Sequence, residues 1–514
     1  MGEIVSGDRS ITLQDVEEQA ARAATGFLSI GLRAGDVIAL YLRNDFTFFE
    51  ASFAAGLIGA YPTPVNWHYA PPEADYLFRD CDAKAIVIHA DLISGIADVL
   101  PPGVPVFVVE TPPEIAEAYG IAAERCRIPP GMTGWSSWLA GFDGYDGPAL
   151  TAPGTIIYTS GTTGNPKGVK RPLPDPAERA AMVGALCDAY GFSKAQKAGT
   201  PITTVVTGPM YHTAPNFYGL TAARAGARVI LQPRFDTEDL LRLVEQERVT
   251  HLHMVPVMFH RLLKLPKEVR TRYDLSSLET AVHGTAPCPP PVKRAMIEWW
   301  GPIIDEYYGS TEVGLVTFCD SKEWLAHPGT VGHVVDHAEV RIMRGKSQTL
   351  PAGEIGEVVA RLRTMGEFTY QGADGKRAAV DRDGLIATGD IGYFDADGFL
   401  YICDRSIDMI ISGGVNIYPA EIEAELGEMP GVSDCAIFGI PSEEYGEQVY
   451  AVVEPEPGRT LSPEDVRGYL LGRMASFKVP RQVEFRTGLP REDSGKIFKR
   501  KLREPFWQGV ERRI

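Results

Sequence analysis

The sequence predicts an α/β fold: a large N-terminal domain of helix-covered sheets, a β-rich subdomain, and a small, mobile α+β C-terminal domain. Over about the first 400 residues, apolar runs of strand length alternate with amphipathic runs of helix length. Glycine then becomes frequent and helical periodicity fades between Gly329 and Tyr401. The final ~110 residues return to short strand-like and helix-like runs.

The N-terminal alternation begins at Thr12, a residue type that caps helices, before an amphipathic stretch that extends to Leu28. Apolar strand-like runs follow, with helix-like runs between several of them. The predicted strands are Val37–Leu42, Ala85–His89, Val104–Glu110, Thr203–Thr207, Arg228–Leu231, Thr250–Met254 and Ala281–His283, and two of the predicted helices are Thr237–Glu247 and Pro290–Trp300.

The β-rich and C-terminal parts contain shorter elements. Glu357–Leu362 and Leu400–Cys403 are predicted strands of the β-rich subdomain. The C-terminal predictions are strands at Met409–Ile411, Ala436–Phe438, Val449–Val453 and Val483–Phe485, with helices at Ala420–Leu426 and Pro463–Met474. We place an N-terminal domain at 1–403, a hinge at 404–406 and a C-terminal domain at 407–514.

Composition excludes several classes of protein. The 514 residues carry 67 acidic and 50 basic side chains, and the formal net charge of −17 argues against a general binder of nucleic acid or anionic membranes. Seven scattered cysteines without a Cys-x-x-Cys pair argue against a disulfide framework or a zinc ribbon. No apolar run reaches 18 residues and the N-terminus lacks a signal-peptide pattern. We expect a cytoplasmic protein and leave a homodimer open.

The segment from Thr155 to Gly168 predicts a phosphate-binding loop. A strand-like run leads into small hydroxyl residues and glycines, whose backbone amides and hydroxyls can donate to an anion, and Lys167 adds a positive charge. The loop residues that we assign to ATP are Thr159, Ser160, Gly161, Thr162, Thr163, Gly164 and Lys167. A Walker A motif fails because Lys167 follows a proline, and the dinucleotide motif Gly-x-Gly-x-x-Gly does not occur.

Tyr158–Gly168 resembles the signature loop of the adenylate-forming superfamily, which includes acyl-CoA synthetases, peptide-synthetase adenylation domains and beetle luciferases. Further motifs of that superfamily recur in order across residues ~10 to ~503. They are Tyr211–Pro215, Tyr308–Glu312, Thr388–Asp390, the hinge segment Asp404–Glu423 and the lysine loop Pro490–Lys496. The resemblance implies that ATP and a carboxylic acid form an acyl-adenylate, and that coenzyme A then displaces AMP.

The resemblance also implies roles for individual residues. Lys496 would bridge the carboxylate and the α-phosphate, Thr311 would bond that phosphate, and His212 would orient the carboxylate. Glu312, with Thr159, would ligate Mg²⁺, for which carboxylate oxygen is a suitable ligand.

The remaining implied contacts concern the nucleotide and the thiol. Asp390 would bind the ribose hydroxyls and Arg405 would lie beside them, while Tyr308 would face the adenine. The other nucleotide contacts are Gly284, Thr285 and Gly309, and Ser412, Gly413 and Gly414 would face coenzyme A. The superfamily's hinge position, commonly Asp or Lys, is Ile407 here.

Three functions remain to be distinguished. The first is an AMP-forming acyl-CoA synthetase acting on a hydrophobic acid, with fatty, aryl and steroid side-chain acids all open. The second is a stand-alone enzyme that adenylates amino acids or aryl acids, against which the segment Met210–Ala214 lacks an aspartate for an amine. The third is a nucleotide-binding regulator without catalysis, against which Lys496, Glu312 and Thr311 are all retained.

Overall fold

The computed structural model describes residues 2–148, 150–159, 166–371, 375–413, 415–491 and 497–508, except the side chains of Thr159 and Lys376. All bounds and contacts below refer to these residues. No helix among them is long and apolar enough to cross a membrane.

The strands are short in the N-terminal part and longest near the C-terminus. In chain order they are β1 (Glu3–Ser6), β2 (Arg9–Thr12), β3 (Val37–Tyr41), β4 (Tyr61–Pro64), β5 (Ala83–His89), β6 (Val106–Val109), β7 (Thr133–Gly134), β8 (Ile157–Thr159), β9 (Lys167–Lys170), β10 (Thr203–Val206), β11 (Arg228–Leu231), β12 (His251–Met254), β13 (Thr280–His283), β14 (Ile304–Ser310), β15 (Gly314–Cys319), β16 (His333–Val334), β17 (Ala338–Arg344), β18 (Gln348–Thr349), β19 (Gly356–Leu362), β20 (Thr369–Tyr370), β21 (Asp381–Arg382), β22 (Leu385–Phe394), β23 (Leu400–Arg405), β24 (Ile410–Ser412), β25 (Val415–Ile417), β26 (Val432–Ser442), β27 (Gly446–Pro455) and β28 (Gln482–Phe485).

The helices lie mostly between strands of the N-terminal part. They are α1 (Leu13–Ser29), α2 (Phe46–Leu57), α3 (Pro71–Asp80), α4 (Ala90–Ile96), α5 (Pro113–Tyr119), α6 (Trp135–Leu139), α7 (Pro176–Ala189), α8 (Phe192–Ala198), α9 (Thr213–Arg224), α10 (Thr237–Glu247), α11 (Pro256–Leu263), α12 (Lys267–Arg270), α13 (Pro290–Trp300), α14 (Ser321–Ala326), α15 (Gly375–Val380), α16 (Pro419–Gly427), α17 (Pro463–Leu471) and α18 (Lys499–Arg503). Four 3₁₀ turns cover Ala97–Val99, Ala123–Cys126, Ser476–Lys478 and Glu504–Trp507.

Two large sheets enclose the main core. The nine-stranded sheet has the order β16-β15-β14-β13-β12-β10-β11-β1-β2, and the parallel five-stranded sheet has the order β4-β3-β5-β6-β7. Apolar faces of α1, α2, α6, α8 and α9 fill the space between them, and α10, α11 and α13 cover the opposite face of the nine-stranded sheet. The predicted α/β architecture is therefore confirmed.

Smaller sheets follow along the chain. The three-stranded sheet β20-β9-β8 carries the strands on either side of the predicted phosphate loop, and β17, β18, β19, β21, β22 and β23 form the β-rich sheet expected after residue 329. The C-terminal sheet has the order β25-β24-β27-β26, with β28 beside β27. Sheet membership changes between β23 and β24, but the domain bounds around residues 404–406 stay a prediction.

Most of the expected elements are confirmed at close to their predicted ends. The Thr12 hydroxyl accepts from the amide of Asp15 at 3.1 Å and caps α1, as its residue type predicts. Two differences concern the C-terminal part. The expected strands at 436–438 and 449–453 are the centres of β26 and β27, because hairpin pairing continues into their polar flanks. The helix expected to reach Met474 ends at Leu471.

Candidate active site

The predicted site residues of the N-terminal part meet at one edge of the nine-stranded sheet. Strands β10, β12, β13 and β14 run parallel and end at this edge. His212 lies in the segment that leaves β10, Gly284 and Thr285 follow β13 directly, and Tyr308 lies near the end of β14. Ligands of α/β sheets bind at the carboxyl ends of the strands, so the topology alone makes this edge the candidate site.

The Tyr308–Glu312 motif forms the turn between β14 and β15. A bulge interrupts the pairing at Tyr308 and Gly309, and any Cβ at Gly309 would overlap the carbonyl oxygen of Gly314. The Ser310 hydroxyl accepts from the amides of Glu312 and Val313 at 3.2 and 3.3 Å. These bonds hold the turn in one conformation and thus place the next two side chains of the motif.

The side chains of Thr311 and Glu312 each contact a second part of the chain. The Thr311 hydroxyl lies 2.8 Å from that of Thr213, the first residue of α9. The Glu312 carboxylate accepts from the Tyr370 hydroxyl at 3.2 Å and from Ser310 at 3.0 Å. Because β20 pairs with β9, the ammonium of Lys167 lies 5.2 Å from the centre of the Tyr370 ring. The predicted phosphate-side lysine and the predicted metal ligand are therefore neighbours of one tyrosine.

Arg171, which the sequence analysis missed, supports this turn from behind. Its guanidinium donates to the carbonyl oxygens of Thr311 at 3.0 Å, Glu312 at 2.5 Å and Gly366 at 2.5 Å. Burial lowers the pKa of Arg171 to about 10, so the side chain remains charged at neutral pH. A cation bound to three carbonyls acts on the position of the backbone, and the sequence contains no signal that distinguishes this arginine from its neighbours.

On the nucleotide side, three predicted residues form a chain. The Tyr308 hydroxyl donates to one oxygen of Asp390 at 2.5 Å, and Arg405 lies 2.8 Å from the other oxygen. Burial and the Asp390 charge raise the pKa of Tyr308 well above its usual range, and Asp390 raises the pKa of Arg405. The phenol therefore stays protonated and the guanidinium stays charged.

Gly284 is buried and packs against Tyr307, whereas the next residue, Thr285, is exposed. A Cβ at Gly284 would lie 2.8 Å from the carbonyl oxygen of Tyr307, and Thr285 has φ of +70°, a strained value for a β-branched residue. The Tyr307 hydroxyl and His253 Nε2 are 2.9 Å apart, and burial lowers the pKa of His253 to about 4. This buried pair was also not predicted.

His212 occupies the N-cap position of α9, one residue before the threonine that contacts Thr311. Its ring centre lies 4.4 Å from that of Tyr211, which packs edge-on against Trp67 at 4.6 Å. The aromatic motif is thus brought to the Thr311 turn by the start of one helix.

The predicted coenzyme A contacts lie in the C-terminal sheet. Ser412 ends β24, and the amide of Gly413 donates to the carbonyl of Tyr445 at 2.8 Å with φ of +59° at the glycine. The other predicted residues lie outside the described part of the chain: Ser160, Gly161, Thr162, Thr163, Gly164, Gly414, Lys496 and the side chain of Thr159.

The donors around Glu312 fit a hard divalent cation. Among the described residues its carboxylate accepts hydrogen bonds only from hydroxyl groups and forms no direct ion pair, and the charges of Arg171 and Arg405 act on it from a greater distance. The hydroxyls of the neighbouring Thr311 and of Thr213, 2.8 Å apart, are neutral oxygens of the kind that a hard cation also accepts as ligands.

Comparison with known proteins agrees with this arrangement. The family model described as AMP-binding enzyme matches residues 3–367, and the model described as AMP-binding enzyme C-terminal domain matches residues 421–496. A feruloyl-CoA synthase of an Amycolatopsis species is 32% identical, over 97% of this chain and 95% of its own. A fatty acid–[acyl-carrier-protein] ligase, ScoC of Streptomyces coeruleorubidus, is 30% identical over 98% and 93%.

A solved structure also matches over nearly the whole length. The amide bond synthetase McbA from Marinactinospora thermotolerans superposes with a TM-score of 0.83 at 25% identity, over 98% of this chain and 96% of that one. The chain therefore belongs to the AMP-binding enzyme family and is an AMP-forming acid–thiol ligase.

Proposed function

We propose that this chain activates a hydrophobic carboxylic acid with ATP and transfers the acyl group to coenzyme A. In the first step a carboxylate oxygen attacks the α-phosphorus, and pyrophosphate leaves. In the second, the thiol attacks the acyl carbon, its proton passes to solvent, and AMP leaves. The meeting of the Thr311–Glu312 turn with the Tyr308–Asp390–Arg405 chain at one sheet edge carries this proposal.

The nucleotide side derives its selectivity from Asp390. A carboxylate has about four acceptor sites, so its bonds to Tyr308 and Arg405 leave room for the two hydroxyls of a ribose. Arg405 holds this carboxylate in place and adds a charge near the nucleotide phosphate.

A second group of residues would contact the phosphates of ATP and the attacking carboxylate. Glu312 and Thr159 would hold Mg²⁺, which when bound neutralises phosphate charge. Thr311 would donate to the α-phosphate, and its contact with Thr213 and the bonds from Arg171 to its turn support this role. His212 and Lys496 would orient the attacking carboxylate, and preorganised donors of this kind typically contribute about 3–4 kcal/mol to the transition state.

We further propose that residues 404–406 are a hinge between the domains 1–403 and 407–514. In support, Arg405 bridges to Asp390 of the N-terminal domain, and the Ser406 amide bonds the Gly389 carbonyl at 2.9 Å. Beyond the hinge, Arg503 contacts the carbonyl of Ile407 at 3.2 Å. Rotation here would replace Lys496 by the Ser412–Gly414 segment at the acyl-adenylate.

The test is a coenzyme-A-dependent assay over matched fatty, aryl and steroid side-chain acids with ATP and Mg²⁺. Mass spectrometry of acyl-CoA and AMP is combined with pyrophosphate release measured without coenzyme A. We expect at least one acid to yield both AMP and acyl-CoA. Absence of pyrophosphate release with every acid, while ATP binding is measurable, would contradict the proposal.

Lys496→Ala separates the two half-reactions. The variant should lose adenylation by about 10²–10³-fold but keep transfer from a supplied acyl-adenylate, since the lysine serves only the first step. Lys346→Ala, at an exposed loop position, is the matched control. Equal loss of both half-reactions would refute the assigned role.

The assay should also test an amine as the acceptor of the acyl group, because McbA is an amide bond synthetase. The acyl-adenylate would then be attacked by an amine, which releases AMP without a thiol. Amide formed from a panel of primary amines, with no acyl-CoA formed under the same conditions, would favour this alternative.

A further inference from the structure

Two buried asparagines bind the segment that leads from β10 to His212. The first, Asn44, lies between β3 and α2, 164 residues before Gly208 in the chain, and is 4% exposed. Its side-chain amide donates to the carbonyl oxygen of Gly208 at 2.9 Å, and its side-chain oxygen accepts from the backbone amide of Met210 at 2.8 Å. One side chain therefore holds two peptide groups just before His212.

The second asparagine, Asn216 of α9, holds the other side of Met210. Its side-chain amide donates to the Met210 carbonyl at 2.9 Å, so the amide and the carbonyl of this residue each bond a carboxamide. The side-chain oxygen of Asn216 accepts from the hydroxyl of Thr155, which precedes β8 and the predicted phosphate loop, at 3.2 Å. We call Asn44 and Asn216 together the Met210 clamp.

The Asn44 end of the clamp is fixed by ion pairs on either side of it. Arg43 pairs with Asp91 at 2.8 Å, and both of these side chains are buried. Asp45, which is also buried, pairs with Arg9 at 2.7 Å. Breaking a buried ion pair is strongly unfavourable, so the backbone around Asn44 is a firm support for the segment that it binds.

The Met210 clamp determines where the chain enters α9. His212 is the N-cap residue of this helix, directly after the clamped segment and Tyr211. A Cβ at Gly208 would lie 2.9 Å from the Pro215 ring, so the segment also packs closely against the first turn of α9. Without the carboxamides, the buried polar groups of Met210 would turn toward other partners and His212 would move with them.

We propose that Asn44 and Asn216 are positioning residues for adenylation, which set the His212 side chain against the carboxylate of the acid substrate. The inference rests on the proposed function, in which His212 orients that carboxylate. A carboxamide suits this role because it donates and accepts hydrogen bonds at once and carries no charge that would repel or capture the substrate. Both asparagines act through His212 and do not themselves bind the acid.

The experiment measures pyrophosphate release by Asn44→Ala and Asn216→Ala, with kcat and KM determined separately for the acid and for ATP. We expect kcat/KM for the acid to fall about 10–100-fold in each variant, as displacement of a positioned group predicts. In Asn44→Ala, KM for ATP should stay within about threefold of the parent, because the Tyr308–Asp390 contact does not involve the clamp.

A double-mutant cycle with His212→Ala separates positioning from general stability. Because the clamp acts through His212, Asn44→Ala should cost less than about threefold further in the His212→Ala background. A purely structural role would instead give the same fold loss with and without the histidine.

Thr330→Val is the matched control. Thr330 is 1% exposed, and its hydroxyl also bonds one carbonyl and one amide, those of Leu400 at 2.7 Å and Gly332 at 3.0 Å. Urea unfolding should show a comparable loss of stability, while kcat/KM stays within about threefold of the parent. The proposal is overturned if the asparagine variants lose no more activity than this control, if their losses persist unchanged without His212, or if neither variant folds.

A measurement without turnover separates this proposal from the proposed function. In NMR spectra of isotope-labelled histidine rings, the His212 signal is identified by its loss in His212→Ala. This signal should shift in Asn44→Ala and not in Thr330→Val, because the His212 ring lies 4.4 Å from the Tyr211 ring and senses its orientation. An unchanged signal would refute the proposal. Failure of every acid to release pyrophosphate would instead contradict the proposed function, and the NMR measurement would still test the clamp.

Discussion

Replacing Arg171 with methionine tests whether the Thr311–Glu312 turn depends on a buried cation. The substitution keeps much of the hydrocarbon but removes the donors to three carbonyl oxygens, two of them on consecutive residues of the turn. It also removes the contact of the guanidinium with the Phe368 ring, whose centre lies 5.4 Å away.

The expected loss of stability follows from opposing contributions. Each hydrogen bond from a charged donor contributes about 1.5–3 kcal/mol. Against this, burial of the guanidinium costs several kcal/mol, and a small gap beside Arg171, with room for about one water molecule, lets water reach the freed carbonyls. We therefore expect the free energy of unfolding to fall by about 2–4 kcal/mol, less than the sum of the three bonds.

The activity should fall further than the stability explains. A displacement of about 1 Å at a positioned group can cost about 10²-fold in rate, so we expect kcat/KM for pyrophosphate release to fall about 10–100-fold under conditions where the variant is fully folded. Urea unfolding followed by tryptophan fluorescence measures the first effect, and initial rates measure the second.

Arg377→Met is the matched control for this prediction. Arg377 also lies over the Phe368 ring, at 5.1 Å, but its guanidinium pairs with Asp381 and Glu367 instead of the turn. It should leave kcat/KM within about threefold of the parent, since exposed and half-exposed ion pairs contribute little. Equal rates for the Arg171 variant and the parent would show that the turn does not depend on the cation.

Three further outcomes are expected. Burial raises the pKa of Glu50 from its usual 4.5 to about 7, so the folded state loses stability relative to the unfolded state as pH rises between these two values. Glu50→Gln removes this loss and should therefore stabilise the fold by up to about 3 kcal/mol at pH 8 and much less at pH 5. Thermal unfolding at each pH measures the difference. Tyr308→Phe removes the donor to Asp390 and should raise KM for ATP about 5–30-fold in initial-rate assays; an unchanged KM would exclude that hydroxyl from the nucleotide site. Gly309→Ala forces a Cβ onto a backbone carbonyl and should destabilise the chain by more than about 2 kcal/mol, whereas Gly468→Ala in α17, with open space around it, should stabilise it by up to about 1 kcal/mol in the same denaturation assay.

Seven strands of the two large sheets could be predicted because each is a short run of mostly apolar or β-branched residues that is buried on both faces, and these are β3, β5, β6, β10, β11, β12 and β13. β3 and β12, for example, are buried at every position. Strands β4, β7, β14, β15 and β16 of the same sheets were not predicted. The hairpin of β1 and β2 was missed because it contributes few apolar residues and is stabilised by pairing with β11, more than 200 residues away. Long-range pairing of this kind leaves no local pattern in the sequence.

The residues of the candidate site show the same difference between local patterns and long-range contacts. Tyr308, Glu312 and Asp390 could be predicted because they lie in contiguous motifs, and their partners Thr213 and Tyr370 could not, because each contact joins distant segments. A motif specifies the residue types of a turn, but it does not show which distant residues contact that turn in the folded chain.

The arginines illustrate that the sequence does not show which group a side chain contacts in the folded protein. Arg171 binds backbone carbonyls, Arg405 pairs with Asp390, and the guanidinium of Arg224 lies over the Phe53 ring. All three carry the same charge, and the net charge of −17 indicates nothing about which group each of them contacts. A guanidinium opposite carbonyls fixes a turn, one opposite a carboxylate holds that acid in place, and one over an aromatic ring packs against its face. The role of each arginine thus follows from the group that faces it, which only the folded chain determines.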